Sequence, residues 1–173
     1  MRHVISVLLQ NEVGALTRMT GLFSTRGYNI DSLNVAPTDD PTVSRVTLVI
    51  RGSNAAIAQL NTLLAKLVDV TNIHDMTLGD HFERELVIIK LRLETDGYVR
   101  VLELSKKYGA KILDDAQNSC IVQLTGRLVD IDLFIEEVGH IGKIAAIARS
   151  GSVVVSKGNV TLSSYVQHNC LTG

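Results

Sequence analysis

Side chains able to do chemistry are spread thinly along this chain. The histidines, His3, His74, His81, His140 and His168, stand apart, and none lies four residues from another. No HExxH, CxxC or GxSxG string occurs, and no glycine-rich phosphate loop. The strongest acidic pair, Asp39-Asp40, falls between Pro37 and Pro41, where aspartate is favoured because it makes turns. Asp114-Asp115 reads as a turn and Glu136-Glu137 as a solvated helix face. A catalytic site needs a nucleophile with its base, a metal cluster or poised carboxylates, and this spacing supplies none.

One segment is chemically distinctive. Asn11-Glu12-Val13-Gly14-Ala15-Leu16 leaves a strand and enters a helix. A helix start presents unpaired N–H groups and the positive end of its dipole, both suited to a carboxylate. Gly14 lets a ligand approach the backbone, Ala15 keeps the space small, and the Asn11 amide can donate to a carboxylate or accept from an ammonium. Taken alone, Asn-Glu-x-Gly is more simply a turn ahead of a helix. Asn29-Ile30 opens the next strand after Gly27-Tyr28 and should lie at the far end of that helix. One subunit could not easily close both segments on one small ligand, whereas two packed side by side could.

The elements that position these residues follow from hydrophobic period. Val4 to Leu9 is a buried strand; Ala15, Leu16, Met19, Leu22 and Phe23 form a helical stripe ended by Gly27. Asn29 to Val35 and Val43 to Arg51 are strands, the second alternating Val46, Leu48, Ile50 against Arg45, Thr47, Val49. Ser53 or Asn54 caps a helix carrying Ala56, Ile57, Leu60, Leu63, Leu64 and Leu67, and Val68 to Leu78 is a fourth strand. The order β-α-β-β-α-β describes a ferredoxin-like domain with helices on one face of an antiparallel sheet and the other face open. It recurs after a linker at residues 79–82. Leu86 to Leu93 is followed by a helix from Gly97 to Tyr108 capped by Asp96, strands Lys111 to Leu113 and Ser119 to Thr125, a helix ending at Gly139, and a strand from Lys143 to Val155. The expected fold is therefore α+β: two tandem ferredoxin-like domains, residues 1–78 and 83–156, with a polar tail at 157–173. Gly21 sits in mid-helix off the apolar stripe at a cost of about 1 kcal/mol, which close approach of another chain would explain.

Bulk properties narrow the function classes. Hydrophobic residues make up 46% of the 173 and charged residues 20%, with a net charge of −1. That balance argues against nucleic-acid binding and against docking on an anionic membrane. No apolar run could cross a bilayer and no signal segment opens the chain, so a cytoplasmic protein is expected. Cys120 and Cys170 are too far apart in sequence to suggest a metal spacing or a disulfide framework.

Several strings occur in an order that resembles the small, regulatory subunit of acetolactate synthase (acetohydroxyacid synthase). They are Ser6-Val7-Leu8-Leu9, Asn11-Glu12, Gly14-Ala15-Leu16, Gly21-Leu22-Phe23-Ser24, Arg26-Gly27-Tyr28-Asn29-Ile30, Ala36 to Thr42 and Ser44-Arg45. Lys66-Leu67-Val68-Asp69-Val70, Glu83-Arg84-Glu85 and Ala148-Arg149-Ser150-Gly151 continue the resemblance to about Lys157. It implies an N-terminal ACT domain, a homodimer through ACT domains, and a complex with a large catalytic subunit. That subunit would carry thiamine diphosphate, Mg and FAD, with no cofactor on this chain, and condense two pyruvates, or pyruvate with 2-oxobutanoate, in branched-chain amino-acid synthesis. The chain itself would be non-catalytic, raising the large subunit's activity and conferring feedback inhibition, typically by valine. The implied effector site lies between two ACT domains and carries over to Asn11, Gly14, Ala15, Leu16, Asn29 and Ile30; Leu16 and Ile30 would form the apolar side of such a pocket, with Leu33 a candidate to extend it. The second domain, with Thr95-Asp96-Gly97-Tyr98 at the corresponding turn, is not expected to repeat it. Two rivals stand beside this reading: a free-standing ACT sensor of amino acids acting on another enzyme, and an acylphosphatase-like hydrolase using Arg18 and Arg26.

Overall fold

A computed structural model describes residues 1–94, 96–116, 118–159 and 162. The chain divides into two units, Met1–Phe82 joined by the segment from Val154, and Glu83–Val153.

The first unit runs β1 (Arg2–Gln10), α1 (Ala15–Thr25), β2 (Ile30–Pro37), β3 (Val43–Arg51), α2 (Asn54–Leu64) and β4 (Val70–Asp75). Its antiparallel sheet has the order β2-β3-β1-β4, the ferredoxin-like arrangement with β2 and β4 at the edges. Alternation decides the faces. Ile5, Val7 and Leu9 of β1 and Val46, Leu48 and Ile50 of β3 pack against Ala15, Met19 and Phe23 of α1 and Ile57, Leu60 and Leu64 of α2. The buried stripe of α1 is narrower than the sequence suggests, because Leu16 turns outward at 37% exposure. Ser53 caps α2 by accepting from the Ala56 N–H. The fourth strand is shorter than expected: Asp75 accepts from the Thr77 N–H and turns the chain into a 3-10 turn at Met76–Leu78.

The sheet face opposite the helices is not left wholly open. Val154 packs there with Val4, Val49 and Met76, Arg45 Nη1 donates to the Val154 carbonyl at 3.4 Å, and the Lys157 N–H donates to Asp80. Most of the segment 157–173, expected as a loose tail, lies outside the described residues, Cys170 and His168 included.

The second unit repeats the pattern with β5 (His81–Arg92), α3 (Gly97–Tyr108), β6 (Lys111–Ala116), β7 (Ser119–Gly126), α4 (Leu128–Gly139) and β8 (Lys143–Arg149), in the sheet order β6-β7-β5-β8. Its core gathers Val87, Ile89 and Leu91 of β5, Cys120, Val122 and Leu124 of β7, Val101 and Leu104 of α3, and Ile131, Phe134 and Val138 of α4. A short β9 (Val153–Ser156) also pairs with β5.

Four local expectations for this half need correction. β5 begins at His81, inside the segment 79–82 taken as linker. Asp114-Asp115 is not a turn but part of edge strand β6, whose solvent side tolerates carboxylates. The reversal comes later, where Ala116 pairs with Ser119 and Asn118 adopts φ 62°, a conformation asparagine accepts. Asp96 stands at the start of α3 without a side-chain capping bond. The last strand is interrupted at Ser150-Gly151-Ser152, where Gly151 takes φ 73°.

Candidate functional site

The turn between β1 and α1 is held by its neighbours. The Asn11 N–H donates to the Thr42 carbonyl at 2.7 Å, and its side-chain Nδ2 donates to the Pro41 carbonyl at 3.0 Å. Both acceptors belong to the β2–β3 turn, which Asp40 shapes by accepting from the backbone and hydroxyl of Thr42. Those bonds hold the Asp40 carboxyl below its ordinary range. With one amide hydrogen committed to Pro41, the Asn11 side chain offers its oxygen as acceptor, which suits an ammonium better than a carboxylate.

Gly14 is the N-cap of α1 and takes φ 87°, the left-handed conformation that glycine enters without strain. No side chain caps this helix. The Ala15 N–H is closed on the Glu12 carbonyl at 3.2 Å, and the Arg18 N–H reaches the Gly14 carbonyl at 2.9 Å. Among the described residues no backbone acceptor meets the N–H groups of Leu16 and Thr17. The carboxylate-seeking donors thus sit two residues further on than Gly14-Ala15. Ala15 itself is 1% exposed and its methyl belongs to the core, so only its backbone faces the turn. Leu16 and the fully exposed Val13 are apolar groups beside it that the core does not use.

Asn29 and Ile30 lie beyond the other end of α1. Eleven helical residues rise roughly 16 Å, too far for one small amino acid to span. A single chain therefore does not bring the six residues together, as the sequence suggested. Asn29 is exposed and donates weakly to Asp31 at 3.4 Å, while Asp31 also takes the Arg51 Nε at 2.7 Å. Ile30 and Leu33 are packed partly against their own unit's core, which leaves their backbone rather than their side chains for a ligand.

A pair not singled out for this site stands directly beneath the turn. Arg18 Nε and Nη2 donate to the two carboxylate oxygens of Asp69 at 2.6 and 2.8 Å. Asp69 is buried, and its carbonyl accepts the Gln10 N–H at 2.8 Å. The hydrogen bonds from Arg18 hold the Asp69 carboxyl below its ordinary range and raise Arg18 in turn. Arg18 is thereby engaged on a carboxylate, which counts against it as a phosphate ligand. Its position one helical turn after Gly14 was the available signal, and Asp69 appeared only as part of the Lys66–Val70 string.

The corresponding turn of the second unit is chemically different. Gly97 opens α3 against Leu93, and Tyr98 Oη donates to Asp115 at 3.1 Å. A cavity of about 230 Å³ there is lined by Glu94, Tyr98, Asp115, Asn118 and Ser119. Two carboxylates facing it make it a poor seat for another carboxylate. Glu137, expected to be solvated, is bound by Lys107 Nζ at 2.8 Å and Tyr108 Oη at 2.6 Å, tying α4 to α3. No three His, Cys, Asp or Glu side chains converge as a metal site among the described residues, and no helix there is long and apolar enough to cross a membrane.

Comparison with known proteins matches both units. Residues 5–72 fit the family described as the AHAS small subunit-like ACT domain, and residues 84–158 fit the small subunit of acetolactate synthase. The acetolactate synthase isozyme 3 small subunit of Escherichia coli (strain K12) is 42% identical over 159 residues, covering 92% of this chain and 98% of the relative. The acetolactate synthase small subunit of Haemophilus influenzae is 41% identical over 158 residues, covering 91% and 97%. The crystal structure of the small subunit from Thermotoga maritima superposes with a TM-score of 0.84 at 28% identity, covering 92% of this chain and 99% of that one. With both halves matched along nearly their whole length, the chain belongs to the family of acetolactate synthase small subunits, built as an ACT domain followed by a second ferredoxin-like domain.

Proposed function

We propose that this chain is the non-catalytic regulatory subunit of an acetolactate synthase, activating a large catalytic subunit and making it sensitive to a branched-chain amino acid, valine foremost. Thiamine diphosphate, Mg and FAD belong in this reading to the catalytic subunit, and the complex works in the cytoplasm. The observation that carries the effector assignment is the β1–α1 turn: a left-handed glycine with orphan N–H donors on Leu16 and Thr17, beside the exposed apolar Leu16. Such a turn suits an α-carboxylate, and the Asn11 side-chain oxygen suits an α-ammonium.

The effector lies at a homodimer interface, where the Asn11–Leu16 segment of one ACT domain faces Asn29 and Ile30 of its partner. The roughly 16 Å between these segments within one chain supports a two-chain site. An effector that bridges two subunits can shift their relative orientation, and the catalytic subunit responds to that shift. A coupling of about 1–3 kcal/mol is enough for a several-fold to hundredfold effect.

The test is acetolactate formation by the cognate large subunit with and without this chain across a valine titration. Activation by the chain with valine-dependent loss of rate supports the proposal. No change in rate and no valine response would refute it and favour the free-standing sensor.

A further inference from the structure

We infer that Arg18 and Asp69 act together as a positioning pair that sets the geometry of the β1–α1 turn and so the affinity of the effector site. The inference rests on the effector-site reading above and goes beyond it by assigning a role to two residues outside the ligand shell.

Three observations meet at this pair. The two parallel bonds at 2.6 and 2.8 Å fix the plane of the guanidinium, a geometry lysine cannot reproduce. Asp69 is buried at 3% exposure, and its carbonyl also holds the last residue of β1, just ahead of the turn, by accepting the Gln10 N–H at 2.8 Å. The remaining nitrogen of the fork, Arg18 Nη1, lies 2.9 Å from the place a β-carbon on residue 14 would occupy.

Gly14 is therefore demanded by its φ of 87°, and a β-carbon there would in addition push the Arg18 guanidinium out of its place on Asp69. The pair thus supports the turn from α1 on one side and from the entry to β4 on the other. It also fixes the local charge. Asp69 neutralises Arg18, so a carboxylate at the turn meets oriented N–H dipoles rather than an unpaired cation. That suits an effector that must dissociate when its concentration falls.

The experiment uses the full-length chain and valine as the probe. Arg18→Met, Arg18→Lys, Asp69→Asn, the double variant Arg18→Met/Asp69→Asn and the swap Arg18→Asp/Asp69→Arg are compared with the parent. Each is first confirmed folded by circular dichroism. Valine affinity is read by calorimetry and backbone opening by amide hydrogen exchange over residues 10–18, with residues 111–126 as an internal reference. The expected result is faster exchange over 10–18 only, and valine affinity at least about tenfold weaker in each single variant. The double variant is no worse than the singles, because the two residues work as one unit, and the swap recovers part of the loss. A role in stability alone would leave the affinity of the folded protein unchanged, and that result overturns the inference. Unchanged exchange over 10–18 overturns it too, as does tighter valine binding in Asp69→Asn, which would make Arg18 a direct ligand. If the parent itself binds no valine, the effector reading fails, and the exchange comparison still decides whether the pair holds the turn.

Discussion

Arg149 grips Glu85 with two hydrogen bonds, Nε to Oε1 at 2.8 Å and Nη2 to Oε2 at 2.9 Å, and uses Nη1 to reach Asp132 at 3.0 Å. The strings Glu83-Arg84-Glu85 and Ala148-Arg149-Ser150-Gly151, more than sixty residues apart, are thus two sides of one contact. It joins β5, the end of β8 and α4 in the second unit.

Arg149→Ala would strand Glu85, whose side chain is only 5% exposed, without its cation. The expected cost is about 2 kcal/mol, below that of a fully buried pair because Arg149 is itself 36% exposed. Urea unfolding of the parent and the variant at neutral pH measures it. A midpoint unmoved by the substitution would show that Glu85 finds water or another donor.

Gly14→Asp should abolish the valine response. It places a β-carbon against Arg18 Nη1, strains a φ of 87° and adds a negative charge at the turn that would repel the effector's carboxylate. Inhibition of the reconstituted enzyme by valine is the readout. Full valine sensitivity in this variant would remove the β1–α1 turn as the effector site.

Gly21 has open space on its outer side: apart from its chain neighbours and its own helix backbone, no atom lies within 4 Å of where its β-carbon would be. Nothing in its own unit calls for a glycine, yet glycine costs a helix about 1 kcal/mol relative to alanine. Close packing of α1 against a second copy supplies a reason. Gly21→Gln should then shift the chain toward monomer in sedimentation and weaken the valine response. A chain that keeps its association state would place the dimer contact elsewhere.

The Asp69 carboxyl is held below its ordinary range by Arg18. Because its folded value is lowered, its contribution to stability is fully present above the unfolded value of about 3.9 and is lost as pH falls through the lowered one. Asp69→Asn should remove that part of the acid limb. Thermal unfolding from pH 6 down to pH 2 in parent and variant tests this. Curves that stay parallel over the range would show that Asp69 titrates alike in both states.

Much of the fold was legible in the residues because hydrophobic period is a local property. β3 and α3 emerged with the bounds the sequence suggested, Val43–Arg51 and Gly97–Tyr108, since alternation and a 3.6-residue stripe ended by Gly109 are strong signals. Asp114-Asp115 misled because aspartate is common in turns and equally at ease on the solvent side of an edge strand; which one holds depends on the neighbour, β7. Glu137 misled for a related reason. Its partners Lys107 and Tyr108 come from another helix, 30 and 29 residues away.

The same division applies to the site. By itself the sequence determined that Gly14 breaks a strand into a helix, that Asn11 and Asn29 flank that helix, and that both halves repeat one order of elements. Those are matters of type and spacing along the chain. The local closure of the turn left the free donors on Leu16 and Thr17, and tertiary structure alone decided that Ala15 faces the core and that Arg18 and Asp69 lie under the turn. Arg18 and Asp69 stand 51 residues apart, and their meeting depends on how α1 and the entry to β4 pack onto one sheet. A hydrogen bond of 2.6 Å is set by that packing, and no local pattern encodes it.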